Sequence, residues 1–242
     1  TEKAIAQMEL VEDLKMAKRL QQKIITAKTS GLTYFDIYTY YQPFSEVGGD
    51  FYEISEIKEN YLRVFLADAT GHGVQAALTT MLIKNEYDKF KQLSLTPTTI
   101  LSNLNDIFCS EYQHLFVFYS AVLIDIDLKT KTMYVASAGH PSQIMIRNNK
   151  VERFSSHIGT LIGLDERTNY QLLEFDVSAG DKIFLYTDGI SEDFNFRNPE
   201  EAEQILFDII DKHKIKNIKD LGSSILEEIV EGDINRTFQD DV

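Results

Sequence analysis

Several aspartates share one sequence context, an acidic residue placed where an apolar, strand-like segment meets a glycine-bearing turn. They are Asp50 after Gly48-Gly49, Asp68 ahead of Thr70-Gly71, and Asp188 before Gly189. The pair Asp240-Asp241 at the end of the sequence is a last candidate. A carboxylate at the end of a buried strand is costly to desolvate unless it is paired or binds a cation. No lysine or arginine is adjacent to any of these acids in sequence. The recurrence predicts that the acids meet at one cation site.

The chemistry of such a cluster favours a hard divalent metal. Four carboxylates at one place would repel one another and hold protons, whereas Mg²⁺ or Mn²⁺ would bind them through oxygen ligands and water. Zinc fits poorly, because the histidines are too far apart in sequence to form a helical pair and there is one cysteine. Asp-Gly and Gly-Gly are also ordinary turn sequences, and each acid taken alone keeps that second interpretation.

Composition narrows the class of protein. The chain has 242 residues, 43% of them hydrophobic, which favours one large domain with an appendage. Its net charge of −14 disfavours nucleic acid and anionic membranes as partners. The single cysteine, Cys109, excludes an internal disulfide framework and fits a reducing compartment, for which the cytoplasm is the simplest choice.

The ends of the sequence carry no targeting signal. No apolar run reaches membrane-spanning length, and the start has no signal-peptide pattern. The sequence begins with Thr1 rather than Met and stops at Val242, so we expect it to be an excerpt of a longer chain.

The first segment, residues 1–28, is predicted to be an amphipathic linker or switch helix. Between Lys3 and Ala27 there is no Gly or Pro, and Leu10, Ala17 and Ile24 recur every seven residues. The heptads are too few to indicate a coiled coil. A helix packed on its own domain and a helix that forms a dimer or a linker remain equally open.

Residues 29–242 are predicted to form one α+β domain of sheets covered by helices. A helix is expected from about His72 to Lys91, with Val74, Ala77, Leu78, Met81 and Leu82 on one face, and a second begins at Thr96-Pro97. The last part of the sequence is predicted to form two amphipathic helices, one of them capped by Asn198-Pro199. Strands are expected at Tyr34–Tyr41, Asn60–Ala67, Phe116–Ile126, Thr132–Ala138, Gln143–Ile146, Gln171–Phe175 and Lys182–Thr187.

Five motifs in order resemble one family, the metal-dependent serine/threonine phosphatases of the PPM (type 2C) kind, in their bacterial SpoIIE/RsbU-like branch. These are VGGDFYE (Val47–Glu53), LADATGHGVQAAL (Leu66–Leu78), SAGHP (Ser137–Pro141), GDKIFLYTDGISE (Gly180–Glu192) and the closing QDDV. The resemblance covers roughly residues 31–242, and the motifs are specific as a set.

The resemblance implies an α-β-β-α sandwich of two antiparallel sheets with a site for two Mn²⁺ or Mg²⁺ ions at one end. It assigns catalytic and metal-binding roles to Asp50, Asp68, Asp188 and Asp240. Asp68 would bridge both ions, Asp50 and the backbone carbonyl of Ala69 would complete one, and Asp188 with Asp240 the other. Gly48 and Gly49 would clear space for Asp50. The ions would activate a water for direct attack on phosphorus.

Other motif residues are expected to play lesser parts. His72 could donate a proton to the leaving oxygen, although a structural role is favoured, and His140 is expected to hold loop geometry. Glu53 and Glu192 are expected to be solvated ends of their segments.

Two further residues are given structural roles only. Cys109 is predicted to be a core thiol rather than a nucleophile, and Arg63 is predicted to face solvent. The family pattern continues beyond the last acid pair with a further strand, so a final strand, next to Asp240, is expected to be missing here.

The resulting hypothesis is a Mn²⁺- or Mg²⁺-dependent protein phosphatase that acts on a phosphorylated partner, an anti-sigma factor antagonist by resemblance. An alternative is a weakly active or inactive signalling module that binds the phosphoprotein and transmits dimerisation through the N-terminal helix. A hydrolase of another phosphoester, such as a nucleotide, is disfavoured, because the sequence has no Gly-rich phosphate loop with lysine.

Overall fold

A computed structural model of the chain describes residues 2–25, 32–71, 73–155, 159–192, 199–230, 238 and 240–242. The helices are α1 Glu2–Ile25, α2 Val74–Asp88, α3 Pro97–Glu111, α4 Gly189–Glu192, α5 Pro199–His213 and α6 Ile218–Ile229, with a 3₁₀ turn at Gln113–Leu115. The strands are β1 Asp50–Lys58, β2 Tyr61–Ala69, β3 Tyr119–Asp127, β4 Thr132–Ala138, β5 Gln143–Arg147, β6 Lys150–Phe154, β7 Leu173–Asp176 and β8 Lys182–Phe184. None of the helices formed by these residues is long and apolar enough to cross a bilayer.

The strands form two antiparallel sheets, as predicted. The larger sheet has the order β1-β2-β3-β4-β7 and the smaller one the order β6-β5-β8. Apolar residues of β1 to β4 pack against residues of β5 and β6, so the two sheets face each other. Helices α2 and α3 cover the outer face of the larger sheet, while α5 and α6 cover the smaller sheet. The layers are therefore helix, sheet, sheet and helix.

Strand β3 shows why this sequence needs two covering layers. Its residues Tyr119 to Ile126 are all buried. Side chains alternate between the faces of a strand, and here Ala121 and Leu123 join the cluster beneath α2 and α3, whereas Val122 and Ile124 join the cluster between the sheets. A strand that is apolar on both faces is stable only between two layers.

Some strand predictions were wrong. Tyr34–Tyr41 forms no strand; its side chains instead contact other elements, with Tyr38 against Gly222 of α6 and Tyr40 against Phe238. Strand β1 begins inside the VGGDFYE motif, at Asp50, and neither β1 nor β6 was among the predicted strands.

Helix α2 buries only part of the face expected. Ala77 is buried and Leu82 packs against the core, but Val74, Leu78 and Met81 are exposed, whereas Thr80 and Tyr87 are buried. The buried face tolerates a hydroxyl because Thr80 Oγ1 donates to the carbonyl of Gly49, at 3.0 Å. Apolar spacing alone therefore predicted an orientation of this helix that is only partly correct.

The prediction for Arg63 was also wrong, because its side chain is buried. Its guanidinium donates from Nε and Nη2 to the two carboxylate oxygens of Asp125, each at 2.6 Å. It also donates to the carbonyls of Lys91, Leu93 and Leu95. Arg63 thereby fastens the connection between α2 and α3 to the larger sheet.

Glu53 is not a solvated strand residue either. Its carboxylate is mostly buried and pairs with Lys84 at 3.2 Å and with Lys91 at 2.7 Å. These ion pairs attach β1 to the C-terminal half of α2. Cys109 is buried as expected, and burial raises the pKa of its thiol, which disfavours the reactive thiolate.

Candidate metal centre

The first two predicted acids face each other across a strand pair. Asp50 is the first residue of β1, and its antiparallel partner in β2 is Asp68. Residues directly opposite in an antiparallel pair point to the same face with closely spaced side chains. Asp50 is buried, and Thr187 donates from Oγ1 to its Oδ2 at 2.6 Å. Two carboxylates are thus placed together at one end of the larger sheet.

The charges of Asp188 and Asp240 also contribute to the raised pKa values within this pair. Burial raises the pKa of Asp50, and the charge of Asp68 raises it further. Burial also raises the pKa of Asp68, with added repulsion from Asp188 and Asp240. The pKa of Asp188 rises through burial and then through Asp240. The fold therefore brings all four predicted acids within electrostatic reach of one another.

This donor set fits hard divalent cations. The largest influences on the pKa of Asp50 and Asp68 are burial and other carboxylates, so the negative charge is compensated poorly by the protein itself. Among the described residues, no three acidic, histidine or cysteine side chains are arranged so that they could hold one ion by themselves. Ions that share carboxylates and keep several waters in their shells suit this arrangement, and retained waters are typical of Mg²⁺.

The two glycines before Asp50 do clear space. A Cβ on Gly49 would lie 2.9 Å from the carbonyl oxygen of Ala69. A Cβ on Gly48 would lie 2.6 Å from Tyr41 Oη and 2.7 Å from Asp241 Oδ1. Any side chain at either position would push apart the elements that meet beside Asp50.

Asp241 holds the Gly48–Asp50 loop, a role that the sequence did not reveal. The amide nitrogens of Phe44 and Gly49 donate to its Oδ1 and Oδ2. Asp240, by contrast, is partly exposed, and its Oδ1 accepts from the amide of Asp241 at 2.8 Å. The adjacent acids thus differ in role: Asp241 anchors the loop that carries Asp50, whereas the charge of Asp240 raises the pKa of Asp68 and Asp188. Their pairing in sequence was the available signal.

Helix α1 is hydrogen-bonded to the same loop through Gln21. The amide of Gly48 donates to Gln21 Oε1 at 3.0 Å, and Gln21 Nε2 donates to the carbonyl of Gly48 at 2.5 Å. Gln21 is buried, although its side chain is polar and it belongs to the N-terminal helix. This connection links the first helix directly to the backbone that presents Asp50.

His140 lies between the sheets, where it supports both strands that border the acids. Its Nδ1 is 2.8 Å from Ser120 Oγ, and its Nε2 is 3.1 Å from the carbonyl of Tyr186. Ser120 is the register partner of Asp68, and Tyr186 precedes Thr187. This agrees with the predicted role in loop geometry. His72 and the side chain of Glu192 lie outside the described residues.

Comparison with known proteins identifies the family. The profile of the Stage II sporulation protein E (SpoIIE) family matches residues 58–242. The chain belongs to the SpoIIE family. Two Bacillus subtilis relatives are the phosphoserine phosphatase RsbP, 24% identical over 217 residues and 88% of this chain, and the phosphoserine phosphatase RsbU, 23% identical over 225 residues and 93% of this chain. The chain spans 52% of RsbP and 66% of RsbU.

Solved structures show the same fold. The PP2C domain of SiaA from Pseudomonas aeruginosa superposes with a TM-score of 0.81 and 23% identity over 98% of this chain and 96% of that one. The PP2C phosphatase domain of SpoIIE from Bacillus subtilis, with a fragment of its regulatory domain, gives a TM-score of 0.69 and 17% identity over 84% of this chain and 59% of that one. The SpoIIE-family chain described here therefore has the PP2C phosphatase fold.

Proposed function

We propose that this SpoIIE-family chain is a Mn²⁺- or Mg²⁺-dependent protein phosphatase that hydrolyses phosphoserine or phosphothreonine on a partner protein. The observation that carries the proposal is the buried cross-strand pair of Asp50 and Asp68, with Asp188 and Asp240 acting on it electrostatically. Such a cluster of acids is expensive to maintain unless it binds cations.

The residues present would hold two ions. Asp68 would bind both, Asp50 and the carbonyl of Ala69 would complete one, and Asp188 with Asp240 the other. When bound, such ions supply Lewis acidity, lowering the pKa of a water and neutralising the phosphoryl oxygens.

The chain's own contribution is the placement of these ligands. Thr187 fixes the orientation of the Asp50 carboxylate, and Asp241 with Gln21 fixes the backbone from which Asp50 projects. The buried Arg63 is engaged with Asp125, so it is not available to bind substrate phosphate.

The names of the relatives suggest the substrate class. RsbP and RsbU are phosphoserine phosphatases, and we extend that substrate to this chain. In its more specific form, the proposal is that the substrate is a phosphorylated anti-sigma factor antagonist in a cytoplasmic partner-switching pathway. We also propose that α1 serves as a linker helix and as a contact between the two chains of a homodimer.

The test is hydrolysis of p-nitrophenyl phosphate and of a phosphoserine protein, with and without Mn²⁺. We expect turnover that requires Mn²⁺ and that falls by at least about 100-fold in Asp68→Asn, since even indirect disturbance of metal ligands costs roughly 10- to 100-fold. Asp208→Asn, an exposed acid on α5, is the matched control and should keep full activity.

Two results would overturn the proposal. One is turnover that does not depend on metal or on Asp68. The other is a chain that stays silent in Mn²⁺ yet binds the phosphoprotein, which would identify a binding module instead.

A further inference from the structure

An exposed apolar patch lies beside the acid cluster, formed by Leu115, Phe116 and Leu164. Their exposed fractions are 48%, 76% and 50%. The two segments that carry them are joined by an antiparallel bridge between Tyr119 and Ile162. We call these three residues the Phe116 patch.

The patch is close to the proposed reaction centre. Thr70, in the loop after Asp68 and Ala69, donates from its amide and its hydroxyl to the carbonyl of Phe118, at 3.2 and 3.0 Å. Ser120, two residues further along β3, is the register partner of Asp68. Four extended residues span roughly 13 Å, so the patch lies within a short peptide segment's length of the acids.

The backbone holds Phe116 in an unusual conformation. Its φ of 52° and ψ of 43° are left-handed, a region that disfavours bulky side chains. The other non-glycine residues described with positive φ are asparagines, lysine and serine. Because Phe116 is exposed, burial of its own ring does not compensate for this conformation. Backbone strain of this kind clusters at functional sites.

The opposite side of the patch is held firmly by a buried side chain. Asn105 donates from Nδ2 to the carbonyl of Asp165 at 2.9 Å, and its Oδ1 accepts from the amide of Gly163 at 2.9 Å. Leu164 lies between these two anchored residues. A surface that is already ordered loses less entropy when it binds a partner.

The charge of the chain indicates what such a surface would recognise. With a net charge of −14, the protein repels a phosphorylated, anionic partner at long range. Apolar contacts are then the natural source of affinity, and exposed apolar residues beside a functional site are typical of docking surfaces.

We propose that the Phe116 patch docks apolar residues that flank the phosphoserine of the substrate protein. This rests on the proposed phosphatase function and deepens it: the acid cluster would act on the phosphate, and the patch would select the polypeptide.

The test compares two synthetic phosphoserine peptides of equal length and charge, with p-nitrophenyl phosphate as a third substrate, all in Mn²⁺. One peptide carries Leu and Val within four residues of the phosphoserine, and the other carries Ser and Gly there. We expect kcat/KM for the apolar peptide to exceed that for the polar one by about tenfold, a typical effect of losing a central apolar contact.

The variant is the double substitution Phe116→Asn and Leu164→Gln. Asparagine accepts left-handed backbone, so the fold should be kept. This variant should lose the preference between peptides and keep its activity on p-nitrophenyl phosphate. Ile215→Asn is the matched control, because Ile215 is also 76% exposed but lies between α5 and α6.

Each outcome separates the two proposals. Three results would overturn docking while leaving the phosphatase function in place. The wild type could hydrolyse both peptides equally, the double variant could keep the preference for the apolar peptide, or Ile215→Asn could lose that preference to the same extent. Failure to hydrolyse any of the three substrates would overturn the phosphatase function, and the docking proposal with it.

Discussion

Replacing Arg63 with Met should destabilise the protein strongly, because it would leave a charge buried without its partner. Arg63 is 1% exposed, and its guanidinium makes a bidentate pair with Asp125, which is itself buried. Methionine preserves much of the aliphatic volume but removes every one of these donors. The main cost is therefore the buried carboxylate of Asp125, which would keep only the hydrogen bond from Tyr61 Oη, at 2.9 Å, and no cation.

The magnitude follows from this geometry. Removing one partner of a buried ion pair costs about 3–5 kcal/mol. The carbonyls of Lys91, Leu93 and Leu95 also lose a donor, but they lie in a partly exposed connection where water can replace it, so they add little. We therefore expect a loss of about 4 kcal/mol, which corresponds to a fall in Tm of about 8–16 °C for a chain of this size.

The assay is thermal and urea unfolding of the whole chain in EDTA, with Arg147→Met as the control. Arg147 also pairs with an aspartate, Asp181, at 2.9 Å, but it is 31% exposed, so its loss should cost no more than about 1 kcal/mol. Replacing both Arg63 and Asp125 with apolar residues should recover much of the loss. If Arg63→Met cost no more than Arg147→Met, the assignment of a tightly buried pair would be refuted.

Three further predictions concern the loop before Asp50. Gln21→Leu should raise the Mn²⁺ concentration needed for half-maximal turnover, because Gly48 loses both of its hydrogen bonds with Gln21. Arg19→Leu, at an exposed position of the same helix, should leave that concentration unchanged, and titration of turnover with Mn²⁺ tests both variants. Asp241→Asn should lower the unfolding free energy by about 2 kcal/mol in chemical denaturation, since an NH₂ donor replaces one of the two carboxylate oxygens that accept backbone N–H groups, and an unchanged value would contradict this role. In EDTA the unfolding free energy should fall as pH rises from about 4, because the raised pKa of Asp50 lets the folded state bind more protons than the unfolded one. Urea unfolding at pH 5 and pH 8 checks this, and stability that rises with pH would contradict it.

Local signals explain which parts of the fold could be predicted from the sequence. Strand β4 has the predicted bounds Thr132–Ala138, and α3 begins as predicted, with Thr96 Oγ1 accepting from the amide of Thr99 and Pro97 in the first turn. Asp50, Asp68 and Asp188 were singled out because each lies where a strand-like segment meets a glycine-bearing turn, and Asp240 because it is paired with Asp241. Such features depend on residues close together in the chain, so they can be read from the sequence.

The features that were missed depend on partners far apart in the chain. Arg63 is 62 residues from Asp125, and Asp241 is 192 residues from Gly49. Nothing near Arg63 in sequence shows that a carboxylate will lie opposite it in the adjacent strand. In α2 part of the predicted apolar stripe is exposed, at Val74, Leu78 and Met81, while the face that packs on the sheet includes the polar Thr80. Tertiary partners, not periodicity, decide such positions.

The central claim is that Asp50, Asp68, Asp188 and Asp240 together hold two divalent ions. Calorimetric titration of Mn²⁺ into the EDTA-treated and dialysed chain tests it most directly. The proposal predicts binding of two Mn²⁺ ions per chain, with the binding of both ions weakened in Asp68→Asn and unchanged in Asp208→Asn. A chain that binds no Mn²⁺, or one whose binding is the same in Asp68→Asn, would contradict the account.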